Sequence, residues 1–272
     1  MAPKRAGGSG MSPSVRRWAH TWTIPVVVLV LWEMSTRSGL LDPRFFPPLS
    51  DILVTAVDEL INGRLGLDLV LTLQRLLAAF ALAAVFGVAI GVASGRWRTV
   101  ELLIRPITDT LYPLPKIALL PLFIIIFGRG EVAYIVTAFA TGFFQIIIST
   151  RGTVRDMPTD LIEAGRNFGA TGTRFFTRLL FPAIAPELLN GLRLGMATCL
   201  ITLIAAEFVG AEFGLGAMIR RAGQQFAVEE VYAGIVLTGL LGLLINLAFR
   251  LVTPLVLPWQ RQAQRADGGQ NV

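Results

Sequence analysis

"VAYIVTAFATGFFQIIIST", residues 132–150, holds no Asp, Glu, Lys or Arg. A helix of about 18 or more apolar residues crosses the ~30 Å hydrocarbon layer of a bilayer. Residues 76–94 and 231–249 are equally free of charge. The chain around them is 54% hydrophobic and 15% charged, with a mean hydropathy of +0.65. A soluble domain carries about 25% charged residues. This is a polytopic membrane protein of the all-α class, a helical bundle.

Six spans are expected, over 22–37, 69–94, 102–128, 132–150, 183–209 and 231–253. The first follows a basic tail, 1–21, with Lys4, Arg5, Arg16 and Arg17. It reads as a retained span anchored by Trp18, Trp22 and Trp32. The alternative is a cleaved signal, but no small-x-small site follows it. A polar tail, 257–272, closes the chain.

Basic residues on cytoplasmic loops set the orientation. With the N-terminus inside, the inner segments hold Lys4, Arg5, Arg16, Arg17, Arg96, Arg98, Arg151, Arg155, Arg166, Arg174, Arg178, Arg250, Arg261 and Arg265. The outer ones hold Arg37, Arg44, Arg64, Arg129, Arg220 and Arg221. Fourteen against six places both termini in the cytoplasm.

Composition excludes several functions. The single Cys199 allows no intrachain disulfide, and the single His20 allows no histidine metal site or Ser-His-Asp triad. No metal site and no catalytic residue is expected, so the chain reads as a non-enzyme. The net charge of +6 reflects loop arginines rather than a nucleic-acid surface. A phosphate loop needs G-x-x-x-x-G-K-[ST]. The only lysines, Lys4 and Lys116, each follow a proline.

Between the fourth and fifth spans lies a polar, arginine-rich insert, "EAGRNFGATGTRFFTRLLFP", 163–182. It is expected to build two short helices. Asp160 is the expected N-cap, with Glu163 as capping-box partner. Leu161, Ile162, Ala164 and Phe168 supply an apolar face. Gly169 suits a left-handed C-terminal cap. Thr171 or Thr173 restarts the chain, and Pro182 bends it into the fifth span. Such a helix suits a protein partner or, alternatively, the lipid surface.

These residues carry a resemblance. The permeases of bacterial ABC importers share E-A-A, three residues, G, nine residues, then I-x-L-P. This chain has Glu163-Ala164-Gly165, three residues, Gly169, nine residues, then Leu179-Leu180-Phe181-Pro182. It departs at Gly165, Leu179 and Phe181. "FFPPLSDIL" (45–53), "TLQRLLAAF" (72–80), "PLPKIALLPLFIIIFGRGE" (113–131), "NGLRLG" (190–195) and "AAEFVGAEFGLGAMI" (205–219) resemble permeases of nitrate, sulfonate, taurine and thiamine-precursor importers. The resemblance implies a type I importer fold over 22–256, in an inner membrane. It implies that 156–182 is the ATPase-coupling segment, carried by Glu163, Ala164, Gly165, Phe168, Gly169 and Pro182. It also implies a separate ATP-binding cassette subunit that holds ATP and Mg, and a periplasmic substrate-binding protein. One copy of the insert and no internal repeat point to a homodimer in the bilayer.

The third span, "RPITDTLYPLPKIALLP" (105–121), is broken by prolines. Irregular backbone at membrane depth survives where it is buried in protein or lines a wet cavity. Pro113, Pro115 and Lys116 are therefore candidates for the translocation path. Lys116 attracts an anion in that reading; in the plainer one it pairs with Asp109 or snorkels. Arg193 is expected to tie the fifth span to the insert. Glu207 is expected to cap or pair near the outer end, and Arg75 to snorkel outward. Residues 214–227, with Leu215, Met218, Ile219, Ala222 and Phe226, read as an amphipathic outer helix that plugs the pathway, meets the binding protein or packs on the spans. Gly87, Gly91, Gly95, Gly191 and Gly195 mark close helix contacts within the chain or at a dimer seam. An ion-coupled secondary carrier is the rival, but it needs mid-span acidic groups.

Overall fold

The computed structural model describes residues 13–258, with side chains from residue 23. The tails beyond, including His20 and the basic residues before it, lie outside the described side chains. All regular elements among the described residues are helical. They are α1 (Pro13–Arg37), α2 (Leu49–Ile61), α3 (Leu65–Arg96), α4 (Arg98–Leu111), α5 (Leu120–Phe127), α6 (Glu131–Arg155), α7 (Thr159–Asn167), α8 (Gly172–Phe175), α9 (Phe181–Gly210), α10 (Leu215–Gln224) and α11 (Val228–Val256).

Four helical stretches are long and apolar enough to cross a membrane: α3, α6, Gly172–Gly210 and α11. The expected third span is more than kinked. It breaks into α4 and a 3₁₀ turn (Lys116–Leu119) running into α5, bent by 86°. Taken as one crossing it makes a fifth span. Pro113 and Pro115 lack the amide hydrogens that a continuous helix needs. The expected first span lies within α1, which begins at Pro13, ahead of residue 22. One helix was not foreseen: α2 falls in the expected outer connection. It buries Ile52 and Ala56, one turn apart, against Ala233 of α11.

The core lies where α3, α6 and α9 meet, around Leu76, Ala79, Ala83, Ala138, Ile146, Cys199 and Leu203. Lipid tails are as apolar as leucine, so association in a membrane rests on close packing. Glycine permits it here. A Cβ on Gly87 would sit 2.9 Å from Ile146 Cγ2, on Gly91 2.6 Å from Thr150 Cβ, and on Gly95 2.6 Å from Val154 Cβ. These three glycines form the seam between α3 and α6. Gly191 and Gly195 of α9 meet Ser149 and Ile146 of the same α6. The glycines are thus spent inside one chain.

Gly91→Leu is expected to force α3 and α6 apart, because the obstacle is a β-carbon rather than a flexible side-chain tip. Overpacking of this kind costs about 1–3 kcal/mol. A lower thermal midpoint in detergent should follow. Gly152→Ala, where no heavy atom stands within 4 Å of the new Cβ, should match the parent. Equal midpoints for Gly91→Leu and the parent would refute the seam.

Candidate functional site

The insert projects from the bundle at the end where α3 and α6 finish. Val92, Val154, Met157, Phe175, Leu180 and Ile184 form a separate small core beneath it, joined by Ile162 and Leu179. Pro158 precedes α7 in an extended conformation, so the helix starts at Thr159. Asp160 and Glu163 therefore lie inside the helix, and the expected capping box is absent: no side chain caps this end. Asp160, in the first turn, still faces the positive end of the helix dipole.

The other end of α7 closes as a Schellman motif. Ala170 N–H donates to Gly165 O, and Gly169 N–H donates to Arg166 O. Gly169 has φ +78°, with nothing within 4 Å of where a Cβ would stand. Gly165 sits over Leu179; a Cβ there would lie 2.4 Å from Leu179 Cδ2. These two departures from the permease pattern fit each other, the glycine making room for the leucine. Glu163 and Ala164 face outward. Phe168 is 92% exposed and Leu161 40% exposed, leaving an apolar edge uncovered. The chain then enters α9 through α8 and a π turn, Phe176–Leu180. Pro182 lacks an N–H and crowds the carbonyl four residues back. The wider π turn ahead of it, with Phe181 N–H donating to Phe176 O, accommodates that loss, and one helical stretch continues from Gly172 to Gly210.

At the opposite end of the bundle is a buried polar network that the sequence reading largely missed. Glu207 on α9 is fully buried. Its carboxylate accepts from Thr72 Oγ1 (2.8 and 3.0 Å), Arg75 Nη1 (2.7 Å) and Gly216 N–H (3.2 Å). Arg75 also pairs with Glu131 and donates to Phe213 O. It does not snorkel: its side chain is 4% exposed. Asp68, also fully buried, accepts from Gly214 N–H and pairs with Arg221, both at 2.6 Å. Leu215 N–H donates to Thr72 Oγ1. Three consecutive amides at the start of α10 are thus held by α3 and α9. The turn itself demands glycine: Gly214 has φ +118°, and a Cβ on Gly216 would lie 2.2 Å from Ile204 O. Asp68, Thr72 and Arg75 recur at i, i+4 and i+7 on α3, a polar stripe on a buried face. That spacing was the available signal.

α10 buries Leu215, Met218 and Ala222 against the spans. Phe226 does not share that face; it is 88% exposed with φ +57°. Arg193 does not reach the insert. It donates to Asn246 of α11 at 2.6 Å, because Gly191 and Gly195 on either side turn toward α6 and leave it facing away. Lys116 neither pairs with Asp109 nor snorkels. It is buried at the break, donating to the carbonyls of Leu111 (2.8 Å) and Tyr112. Those carbonyls end α4, where the helix dipole favours a cation. The 86° break between Leu111 and Lys116 brings the lysine back to them.

Comparison with known proteins gives this geometry its family. Residues 83–262 match the family model for the binding-protein-dependent transport system inner membrane component. The chain is 31% identical to the taurine transport system permease protein TauC of Escherichia coli K12, over 89% of this chain and 90% of that one. It is 28% identical to the putative aliphatic sulfonates transport permease protein SsuC of Bacillus subtilis, over 89% and 88%. It is 27% identical to the nitrate import permease protein NrtB of Synechocystis, over 73% and 72%. The fold matches a chain of the MetNI methionine ABC transporter, solved in inward-facing conformations, with TM-score 0.62 and 23% identity over 73% of this chain and 98% of that one. The chain therefore belongs to the family of binding-protein-dependent transport system inner membrane components: it is a multi-pass membrane permease of an ABC importer, a transport subunit and not an enzyme.

Proposed function

We propose that this permease imports a small oxyanion of the sulfonate, taurine or nitrate kind, with a thiamine precursor as the second cargo class. Family membership implies an ATPase subunit and a substrate-binding protein. In our reading, ATP and Mg bind on the ATPase and none on this chain. The ATPase grips 156–182, where Glu163, Ala164, Gly165, Phe168, Gly169 and Pro182 shape the docking element. The observation that carries this reading is the uncovered Phe168 edge on a helix whose end is rigidly capped. A second copy supplies the second docking helix, since a closed twofold pair is the simplest assembly. Closure of the ATPases moves the spans as packed units between inward-open and outward-open states.

The insert end faces the cytoplasm in this proposal, and both tails, 1–21 and 257–272, belong there too. Lys116, Pro113 and Pro115 stand at the pathway. Arg193 and Glu207 shape the helices around it. The test is reconstitution in liposomes with the cognate ATPase and binding protein. Uptake of labelled taurine, an alkanesulfonate or nitrate should require MgATP and the binding protein. Uptake driven by an ion gradient without ATP would restore the carrier reading. In intact cells, an impermeant thiol reagent should label Gln224→Cys and spare Thr159→Cys; the reverse pattern would invert the topology.

A further inference from the structure

Where the end of α3 meets the insert, the chain encloses a cavity of about 390 Å³ lined by Arg96, Trp97, Arg166, Thr171, Phe175 and Phe176. That volume lies within the range of small-ligand sites. Arg96 ends α3, and Trp97 is the extended residue between α3 and α4. Arg166 stands in the last turn of α7. Phe175 closes α8, and Phe176 opens the π turn. Their rings form one cluster. The Trp97 and Phe176 centres are 6.0 Å apart, and those of Phe175 and Phe176 5.8 Å. Arg96 Cζ lies 5.3 Å from the centre of the Phe175 ring. A smaller cleft alongside shares Arg96, Arg166 and Phe175 and adds Arg155.

Charge here is one-sided. No acidic residue lines the cavity or the cleft. The nearby Glu101 is committed to Arg98 and Arg155. Neither Arg96 nor Arg166 has an ion pair or a side-chain hydrogen bond among the described residues. The cavity on the other side of the insert has the opposite character, with Asp156 and Glu187 in its wall and no arginine. Cytoplasmic loops of membrane proteins are rich in arginine. That rule does not gather two of them at an aromatic wall without a carboxylate. Each also suits the helix C-terminus on which it stands, yet neither guanidinium has an acceptor.

Position narrows the ligand. Trp97 is 49% exposed at the point where α3 ends and α4 begins. That is the level of an interfacial tryptophan. Just beyond it, α4 exposes Leu102 and Leu103, a surface for hydrocarbon. Phe168 and Leu161, the edge assigned to the ATPase, line neither the cavity nor the cleft. The ligand that fits carries an anionic group next to an apolar chain.

We propose that this cavity binds the phosphate of an anionic phospholipid. Arg96 and Arg166 donate to the phosphate oxygens, which match the planar guanidinium fork. Trp97 meets the glycerol region, and the acyl chains run along α4. Basic pockets at the cytoplasmic ends of membrane helices hold lipid headgroups in this way. The bound lipid bridges α3 and α7 and braces the insert against the bundle. The site is independent of which solute is imported.

The experiment is native mass spectrometry of the permease purified in detergent with its ATPase. The probes are dioleoyl phosphatidylglycerol and dioleoyl phosphatidylcholine in equal amounts. They share chains and a phosphate and differ in net charge. The parent should retain the anionic lipid over the zwitterionic one by about tenfold, since each basic residue at the surface adds attraction. The double variant Arg96→Gln/Arg166→Gln should bring that ratio near one. Arg166→Gln alone, at an exposed side chain, should lower it and keeps the test readable if the double variant misfolds. Arg64→Gln, at an exposed and unpaired arginine before the other end of α3, should keep the parental ratio. Equal retention of the two lipids by the parent, or an unchanged ratio in the folded double variant, overturns the site. Displacement of the lipid by glycerol phosphate at matched concentration makes this a site for soluble phosphates and overturns the lipid assignment. A double variant that sheds the ATPase but keeps the lipid ratio gives the arginines to the ATPase instead.

Discussion

Glu207→Leu is expected to cost about 3–5 kcal/mol, the usual penalty for removing one partner of a buried ion pair. The carboxylate is fully buried and ties α9 to α3 and α10. Without it, Arg75 keeps Glu131, whose side chain is 55% exposed and a weaker, water-screened partner. Thr72 Oγ1 loses its acceptor, and so does the Gly216 amide. The turn before α10 then loses its anchor on α9. In detergent, the thermal midpoint should fall by about 10 °C for a domain of this size. Proteolysis should quicken first around residues 211–226. Glu207→Gln keeps one acceptor oxygen and should fall between the parent and Glu207→Leu. Arg75→Met combined with Glu207→Leu should recover part of the loss, since an apolar pair leaves no lone charge. A double-mutant cycle should show coupling above about 1 kcal/mol. Strict additivity, or a Glu207→Leu protein as stable as the parent, would mean that packing alone seats α10.

The bundle was legible because membrane spans are written in composition. The uncharged runs 76–94, 132–150 and 231–249 each fall within one long helix. Gly87, Gly91 and Gly95 announced a close seam, but only the structure says that α6 fills it. The broken span shows the limit. Four prolines between 106 and 121 signalled irregularity, yet proline removes a hydrogen bond without stating the angle that follows. Pairing was harder still. Arg75, Glu131 and Glu207 lie far apart in the chain and meet only through the folding of three helices. Read singly, Arg75 is a residue near a membrane surface, for which snorkelling is the default. α2 escaped notice because its burial against α11 is long-range, while its sequence offers only a short apolar pattern. At the insert the motif's spacing located α7 correctly within a residue or two. The capping box failed because Pro158 moved the helix start ahead of Asp160.

Gly169→Val should abolish transport while leaving the spans intact. The native φ of +78° lies in the left-handed region, which costs a residue with a β-carbon about 1–2 kcal/mol, and a β-branched one pays most heavily. No neighbouring atom obstructs a side chain there, so the penalty is conformational and local. The valine variant escapes it by rotating Gly169 out of the Schellman turn. The bonds from Ala170 to Gly165 and from Gly169 to Arg166 are then lost. Phe168, the most exposed apolar side chain of the segment, swings with the turn. If an ATPase groove receives that edge, the valine variant should insert with parental thermal stability, lose the ATPase on purification and show no uptake. Gly169→Asn should stay close to the parent, because asparagine tolerates the left-handed region. Phe168→Ser adds the second arm. It leaves the backbone alone, and it should weaken ATPase retention if the edge meets protein. If the edge instead rests on lipid, Phe168→Ser should weaken binding of the isolated segment to vesicles and spare the ATPase. A Gly169→Val permease that keeps its ATPase and transports at the parental rate would remove 156–182 from the coupling path.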